Sequence, residues 1–324
     1  MASDSEHEAH RPLKRPRRSP SPTSHFRTHT TNGNGHPPEH MPSSSSSSSE
    51  PPLRPLSLSI LGVEPLDEFI REIADFVHHM IYTRPDVRGT VEVEAKLGVL
   101  RDRHTGERVQ YPVLVETILA PHSGDTRFES NMSLSQHKHF NNMLNNLKTS
   151  SSQPGHPATP LDYTHLHLID TFYQSDTKEK IRVTRDEKSG TVLACMQKVR
   201  LGNLDIYSPK RAADWRVTVN LEIPVPPPLG SPTLARKKDR MSYSHEEFTI
   251  DLTQVTSTTS PNSKPEIIHE LELELSRPDY LLSTAQNRGD PNASEVERNA
   301  FDELIRAFVN NARILVRNAG DGWQ

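Results

Sequence analysis

The run His269-Glu270-Leu271-Glu272-Leu273-Glu274-Leu275 alternates acid and leucine without a break. A strand turns successive side chains to opposite faces, so Glu270, Glu272 and Glu274 share one face and the leucines the other. Glutamate is a poor strand former, and like charges on one face repel. Carboxylates two residues apart lie about 7 Å from one another, which costs about 2 kcal/mol per pair at an effective dielectric near 20. Such a face needs either bulk water or compensating cations. For one run, an amphipathic strand with a solvated face is the plain reading. A second run, Val91-Glu92-Val93-Glu94-Ala95-Lys96-Leu97, repeats the pattern about 180 residues upstream, with Glu92, Glu94 and Lys96 on one face. Two acidic strands this far apart can lie side by side in one closed sheet.

Strands are predicted at about Thr90–Leu100, Tyr111–Leu119, Leu166–Tyr173, Lys180–Arg185, Thr191–Arg200, Leu204–Tyr207, Asp214–Ile223, Leu234–His245 and Phe248–Val255, ahead of the second acidic run. Residues 186–190 read as a hairpin turn, 149–160 as a linker and 256–265 as a polar loop. The proline-rich 224–232 is a loop that no central strand can hold. Apolar residues at 66, 69, 70, 73, 76, 77, 80 and 81 predict a helix over Leu66–Tyr82, with Pro65 suited to its first turn. Further helices are predicted at Ser133–Lys148 and at about Ser294–Asn318, with Gly320 just past the end. Residues 1–55 read as a disordered tail, rich in Ser, Pro and His, with seven serines over Ser43–Ser49 and little to bury. Within it, Lys14-Arg15-Pro16-Arg17-Arg18 reads as a nuclear localisation signal, a weak polyanion contact or an ordinary basic patch. One folded domain is expected over 56–324: α+β, built on a closed antiparallel β-barrel of about eight strands with flanking helices.

The faces that carry charge are the unusual feature. Glu92, Glu94 and Lys96 share a face on one strand, Lys180, Arg182 and Thr184 on another, and Arg216, Thr218, Asn220 and Glu222 on a third. Arg236, Lys238 and Arg240 form a fourth row, Thr249, Asp251 and Thr253 a fifth, and Glu270, Glu272 and Glu274 the sixth. The opposite faces carry Val, Ile, Leu, Phe and Trp. Six rows leave two arrangements: a sandwich with a wet outer face, or charged faces turned inward around a water-filled tunnel. Helices beside the sheet need apolar surface to cover, which favours an apolar exterior. Acids cluster on the first and last strands and bases between, so an interior would let them compensate one another. Strand adjacency is not visible in a sequence, and both arrangements stay open at this point.

The formal net charge is −4, so attraction for a polyanion has to come from a local patch. Cys195 is the only cysteine, which excludes an intrachain disulfide and argues against a zinc–thiolate site. Neither an apolar leader nor a long apolar run is present, so neither secretion nor a membrane span is expected. Clustered carboxylates favour a hard divalent cation, Mg²⁺ or Mn²⁺, and clustered Arg and Lys favour phosphate. Together they are what phosphoanhydride hydrolysis needs. No Walker A loop, Gly-rich dinucleotide loop or Cys nucleophile motif is present. His165 and His167 alternate, which invites a metal reading, though two histidines on a strand more often pack or face solvent.

The paired VEVEAKLG and HELELEL runs, with IRVTRDEKSG, YSPK…NLEIPVP and KKDRMSY, resemble the triphosphate tunnel metalloenzymes. Within them, the chain over about 56–280 resembles the fungal RNA 5′-triphosphatases, beta subunits of mRNA-capping enzymes. The resemblance implies an eight-stranded tunnel and metal-dependent removal of the γ-phosphate from nascent triphosphate-ended RNA, leaving a diphosphate end for guanylylation. It implies that Glu92, Glu94 and Glu274 hold the metal, with Glu270 and Glu272 supporting the site. It implies that Arg182, Lys198, Lys238 and Arg240 line the phosphate path, that Arg236 and Asp251 buttress them, and that Glu222 orients the attacking water. Thr249 departs from relatives that carry arginine there. Implied partners are a guanylyltransferase subunit and the phosphorylated tail of RNA polymerase II, in the nucleus, with homodimerisation left open. Some relatives dock guanylyltransferase through a tryptophan before the catalytic domain; the tail here has none, the two tryptophans being Trp215 and Trp323. The alternatives are a polyphosphatase or thiamine triphosphatase on the same fold, or a non-catalytic scaffold for phosphorylated tails.

Overall fold

The computed structural model describes residues 55–65, 67–121, 124–258, 264–320 and 323. The tail reading of 1–55 lies almost wholly outside the described residues, as do Leu66 and part of the 256–265 loop. Leu61–Gln324 form one compact unit.

The elements run α1 (Glu68–Tyr82), β1 (Thr90–Asp102), β2 (Thr117–Ile118), β3 (Thr126–Glu129), α2 (Leu134–Ser151), β4 (Asp162–Tyr173) and β5 (Ile181–Asp186). They continue through β6 (Val192–Tyr207), β7 (Asp214–Pro224), β8 (Leu234–His245), β9 (Phe248–Thr258), β10 (Glu266–Leu275), α3 (Pro278–Asn287) and α4 (Glu295–Arg317). Neighbouring strands follow the order β10-β9-β8-β4-β5-β6-β7-β1, and β1 pairs again with β10. Every pairing is antiparallel, so eight strands close on themselves and no edge remains in the ring. β3 extends from β1, and β2 pairs with β6.

The greasy side faces out. Val91, Val93, Ala95 and Leu97 of β1, Val217, Val219 and Leu221 of β7, and Leu271 and Leu273 of β10 are fully buried beneath helices. α4 contacts β1, β7 and β10, and α2 contacts β9 and β10. α4 meets them with Phe301, Ile305, Phe308 and Ala312, a helical stripe whose members are all buried. Its start is fixed by a capping box: Ser294 accepts from the Glu297 N–H while the Glu297 carboxylate accepts from the Ser294 N–H. In α1, Asp67 caps the N–H groups of Phe69 and Ile70. Each fully buried Leu, Ile or Phe contributes about 1.5–3 kcal/mol, so this outer layer supplies the stability that a polar interior cannot.

Several expectations need correcting. The strand expected at Tyr111–Leu119 shrinks to Thr117–Ile118, because Pro112 lacks an N–H and Val113 turns back to bond the Tyr111 carbonyl. The two strands expected at Thr191–Arg200 and Leu204–Tyr207 are one, with a register shift between Arg200 and Gly202. Gly202 is not a turn but a close approach: a Cβ there would stand 2.6 Å from Met80 Sδ and 3.2 Å from Phe76. α2 runs three residues into the expected linker, to Ser151, and β3 and α3 were not foreseen.

Candidate active site

The inward side chains of the ring meet around a cavity of about 710 Å³. Register brings the two acidic runs together: Glu94 stands opposite Glu274, and Lys96 opposite Glu272. β7 lies on the other side of β1, and Asn220 donates to Glu92 Oε2 at 2.8 Å and to Glu94 Oε1 at 3.1 Å. The Lys198 ammonium of β6 pairs with Glu92 and lies 3.6 Å from Glu94. Lys96 pairs with Glu272 and is also 3.6 Å from Glu94. Glu270 accepts from Ser130 Oγ at 3.1 Å. The Glu274 carboxylate makes no ion pair or hydrogen bond among the described residues, while its backbone pairs within the sheet.

Bases occupy the facing wall. On β8, Lys238 meets Asp170 at 2.6 Å, Arg240 meets Asp251 at 2.6 Å and Glu272 at 3.6 Å, and the Arg236 guanidinium stacks on Phe172 at 5.4 Å. On β5, Arg182 reaches across β6 to Glu222 at 2.8 Å, while its Nε is buried with no hydrogen-bond partner among the described residues. Of the twelve residues singled out in the sequence, eleven line the cavity: Glu92, Glu94, Arg182, Lys198, Glu222, Arg236, Lys238, Arg240, Glu270, Glu272 and Glu274. Asp251 stands behind Arg240. Arg236, expected as a buttress, is itself a lining residue. Thr249 is paired across β10 with Glu274, and its hydroxyl contacts Ser276 Oγ at 2.7 Å. Arg216 shares the inward row but lies outside the cavity, bound to Asp205 at 2.5 Å.

Asp170 was missed. It is 1% exposed, accepts from Thr184 Oγ1 at 2.6 Å and holds Lys238. Its inward neighbours on β4, Leu168 and Phe172, are apolar, so no charged row marked the strand.

Charge states follow from this packing. Burial, then Glu92 and Asp251, pushes the Glu274 carboxyl up to about 8. Burial likewise raises Glu94. Burial opposes ionised Glu272 too, but Lys96, Arg240 and Lys238 outweigh it and hold that carboxyl below the usual range. Burial pulls the Lys238 ammonium down, and it opposes the charge on Asp170 as well, yet Lys238 keeps that carboxyl low. The donors fit a hard cation: three carboxylates and no sulfur, with the Glu274 carboxylate bonded to no cation of the protein among the described residues. The partnerless Arg182 Nε and the β8 cations fit phosphate oxygens.

A closed antiparallel ring with a polar bore, acids on one wall and bases on the other, defines a tunnel built for a cation and a polyphosphate together. Comparison with known proteins gives the family. The family model described as mRNA capping enzyme, beta chain, matches residues 63–321. The mRNA-capping enzyme subunit beta of Schizosaccharomyces pombe is 36% identical over 267 residues, which cover 81% of this chain and 85% of that one. The structure of S. pombe Pct1 RNA triphosphatase superposes with a TM-score of 0.74 at 36% identity, covering 83% of this chain and all of that one. A second structure, of Pct1 in complex with the Spt5 CTD, gives 0.73 at 34% identity over 82% of this chain and all of that one. The chain belongs to the mRNA capping enzyme beta-chain family.

Proposed function

We propose that this protein removes the γ-phosphate from the 5′-triphosphate end of nascent pre-mRNA, leaving the diphosphate end that capping requires. The observation that carries this is the enclosed bore in which the Glu92–Glu94–Glu274 group faces Arg182, Lys198, Lys238 and Arg240. Family membership supports the same reading.

Glu92, Glu94 and Glu274 would hold a divalent cation, Mg²⁺ or Mn²⁺. When bound, it neutralises phosphoryl oxygen charge. Lys238 and Arg240, held by Asp170 and Asp251, would take the γ-phosphate oxygens, and Arg182 and Lys198 those nearer the leaving diphosphate. Glu222 spends one oxygen on Arg182 and keeps the other to orient water. Glu272 holds Lys96 and steadies Arg240, so the acid wall and the basic wall keep fixed spacing.

The test is release of labelled γ-phosphate from triphosphate-ended RNA, with and without Mn²⁺, by wild type and Glu94→Ala. Turnover that needs the metal and is lost in a folded Glu94→Ala supports the assignment. Full activity in the variant removes Glu94 from the metal set. Inorganic polyphosphate and thiamine triphosphate in the same assay separate the alternative substrates, and binding without turnover would make the protein a scaffold.

A role in capping supports a nuclear location and a guanylyltransferase subunit as partner. The Pct1 complex with the Spt5 CTD supports recruitment of this chain by a similar CTD, and the polymerase tail is the second such candidate. Among the described residues no helix is long and apolar enough to cross a membrane.

A further inference from the structure

The outside of the barrel is apolar where α1, α3 and α4 cover it, but one row across four strands is not. Register sets His167 beside Asp239, Asp239 beside Gln254, and Gln254 beside His269. His165 lies two residues along β4 on the same face, its ring 4.4 Å from that of His167. His165 Nε2 is 2.5 Å from Asp239 Oδ1, and His167 Nδ1 is 3.7 Å from the same oxygen.

We propose that His165, His167 and Asp239 form a Zn²⁺ site on the outside of the barrel, with water completing the coordination. One donor atom from each residue lies within 4.8 Å of the other two. Donors bonded to one zinc at about 2.0–2.1 Å stand about 3.3 Å apart, a spacing between the 2.5 Å of His165 to Asp239 and the 3.7 Å of His167 to Asp239. Two imidazoles and one carboxylate select zinc over magnesium or manganese, whereas the all-carboxylate group in the bore has the opposite preference. The two sites therefore sort ions by donor type. The outer side chains are partly exposed, which leaves room for water at the open position. Lys237, on the same face, is engaged by Glu187 at 2.9 Å, so its charge beside the site is already balanced. Asp239 lies between Lys238 and Arg240 with its side chain turned the other way. A zinc there clamps β4 to β8 behind the two cations that the proposed reaction uses, yet the site exists whether or not that reaction does.

The full chain carries six more histidines before residue 41: His7, His10, His25, His29, His36 and His40. The experiment therefore compares stoichiometry. Wild type, the double variant His165→Ala/His167→Ala, Asp239→Asn and the tunnel variant Glu94→Gln are dialysed against Zn²⁺, and bound metal is counted. The same set is titrated with Co²⁺ and read by visible absorption. Wild type should hold one zinc more than the double variant, and Glu94→Gln should keep the cobalt bands of wild type. The intense bands of tetrahedral Co²⁺ should vanish in the double variant and weaken in Asp239→Asn. Circular dichroism checks folding, and His165→Asn/His167→Asn replaces the alanine pair if that pair unfolds. Equal zinc content in wild type and the double variant overturns the proposal, and so do cobalt bands that persist without the two histidines, which would put the metal on the tail.

Discussion

Glu274 holds the weakest electrostatic position in the bore. Its carboxylate bonds to no cation among the described residues, and burial beside Glu92 and Asp251 outweighs the pull of Lys198 and pushes its carboxyl up to about 8 from 4.5. Between those two values the folded, metal-free protein keeps a proton that the unfolded chain has lost. Stability therefore falls as pH rises from about 4.5 to about 8 and levels off above. Glu274→Gln removes this slope. In metal-free buffer at pH 8 it should stabilise the protein by about 1–3 kcal/mol, seen as a higher melting temperature, while abolishing stabilisation by Mn²⁺. A variant less stable than wild type at pH 8 would mean that Glu274 has a cation partner in solution. Asp170 has the opposite character: buried, bonded and charged. Asp170→Asn keeps the shape but leaves the Lys238 ammonium, already lowered by burial, without its counter-charge. Turnover of triphosphate ends should drop by about 10²–10³, with metal-induced stabilisation retained. Loss of both together would make Asp170 part of the fold rather than of the phosphate wall.

Strand alternation carried most of the fold. The period-2 rows on β1, β5, β7, β8, β9 and β10 pointed to an inward charged face, and the helical stripes of α1 and α4 pointed to an apolar exterior for them to cover. What alternation cannot report is which strands touch. Closure rests on three register pairs between β1 and β10, residues about 180 apart in sequence, and a sandwich would have displayed the same rows. Asp170 stayed hidden for a related reason: β4 mixes Leu168 and Phe172 into its inner face, so Asp170 lacked a charged row around it. β3 has only four residues and α3 only ten, too short for periodicity to stand out. Two glycines inside strands, Gly98 and Gly202, mark close approaches that alternation does not report. At Gly98 an added Cβ would stand 2.3 Å from the Glu129 carbonyl oxygen and 2.7 Å from the Phe128 ring. The backbone of β3 cannot yield as a side-chain tip can. Gly98→Ala should therefore detach β3 and unseat Phe128 from beneath the Arg216 guanidinium. A loss of about 1–3 kcal/mol is expected, with faster amide exchange over 126–129. Unchanged exchange there would mean that β3 contributes nothing to holding this end of β1.

At the level of the entire barrel, the bore is close to neutral. Eight acids and eight bases line it among the described residues, and the chain as a whole carries −4. Neither total attracts a polyphosphate. Affinity has to come from how the charges are divided, acids on β1 and β10 against bases on β5, β6 and β8, and from a cation that tips the balance on the acid side. A triphosphate seated against Lys238 and Arg240 would otherwise face Glu92, Glu94 and Glu272 across the bore, where repulsion between largely buried charges is strong. Binding of tripolyphosphate, measured by calorimetry, should weaken by at least about tenfold on chelation of divalent ions, or about 1.4 kcal/mol. Glu92→Gln/Glu94→Gln, which removes two of the opposing charges, should lose that dependence and bind the metal-free ligand more tightly than wild type while turning over none. If wild type held tripolyphosphate equally well with and without divalent ions, the bases alone would suffice, and the acidic runs that drew attention in the sequence would serve the fold instead of the ligand.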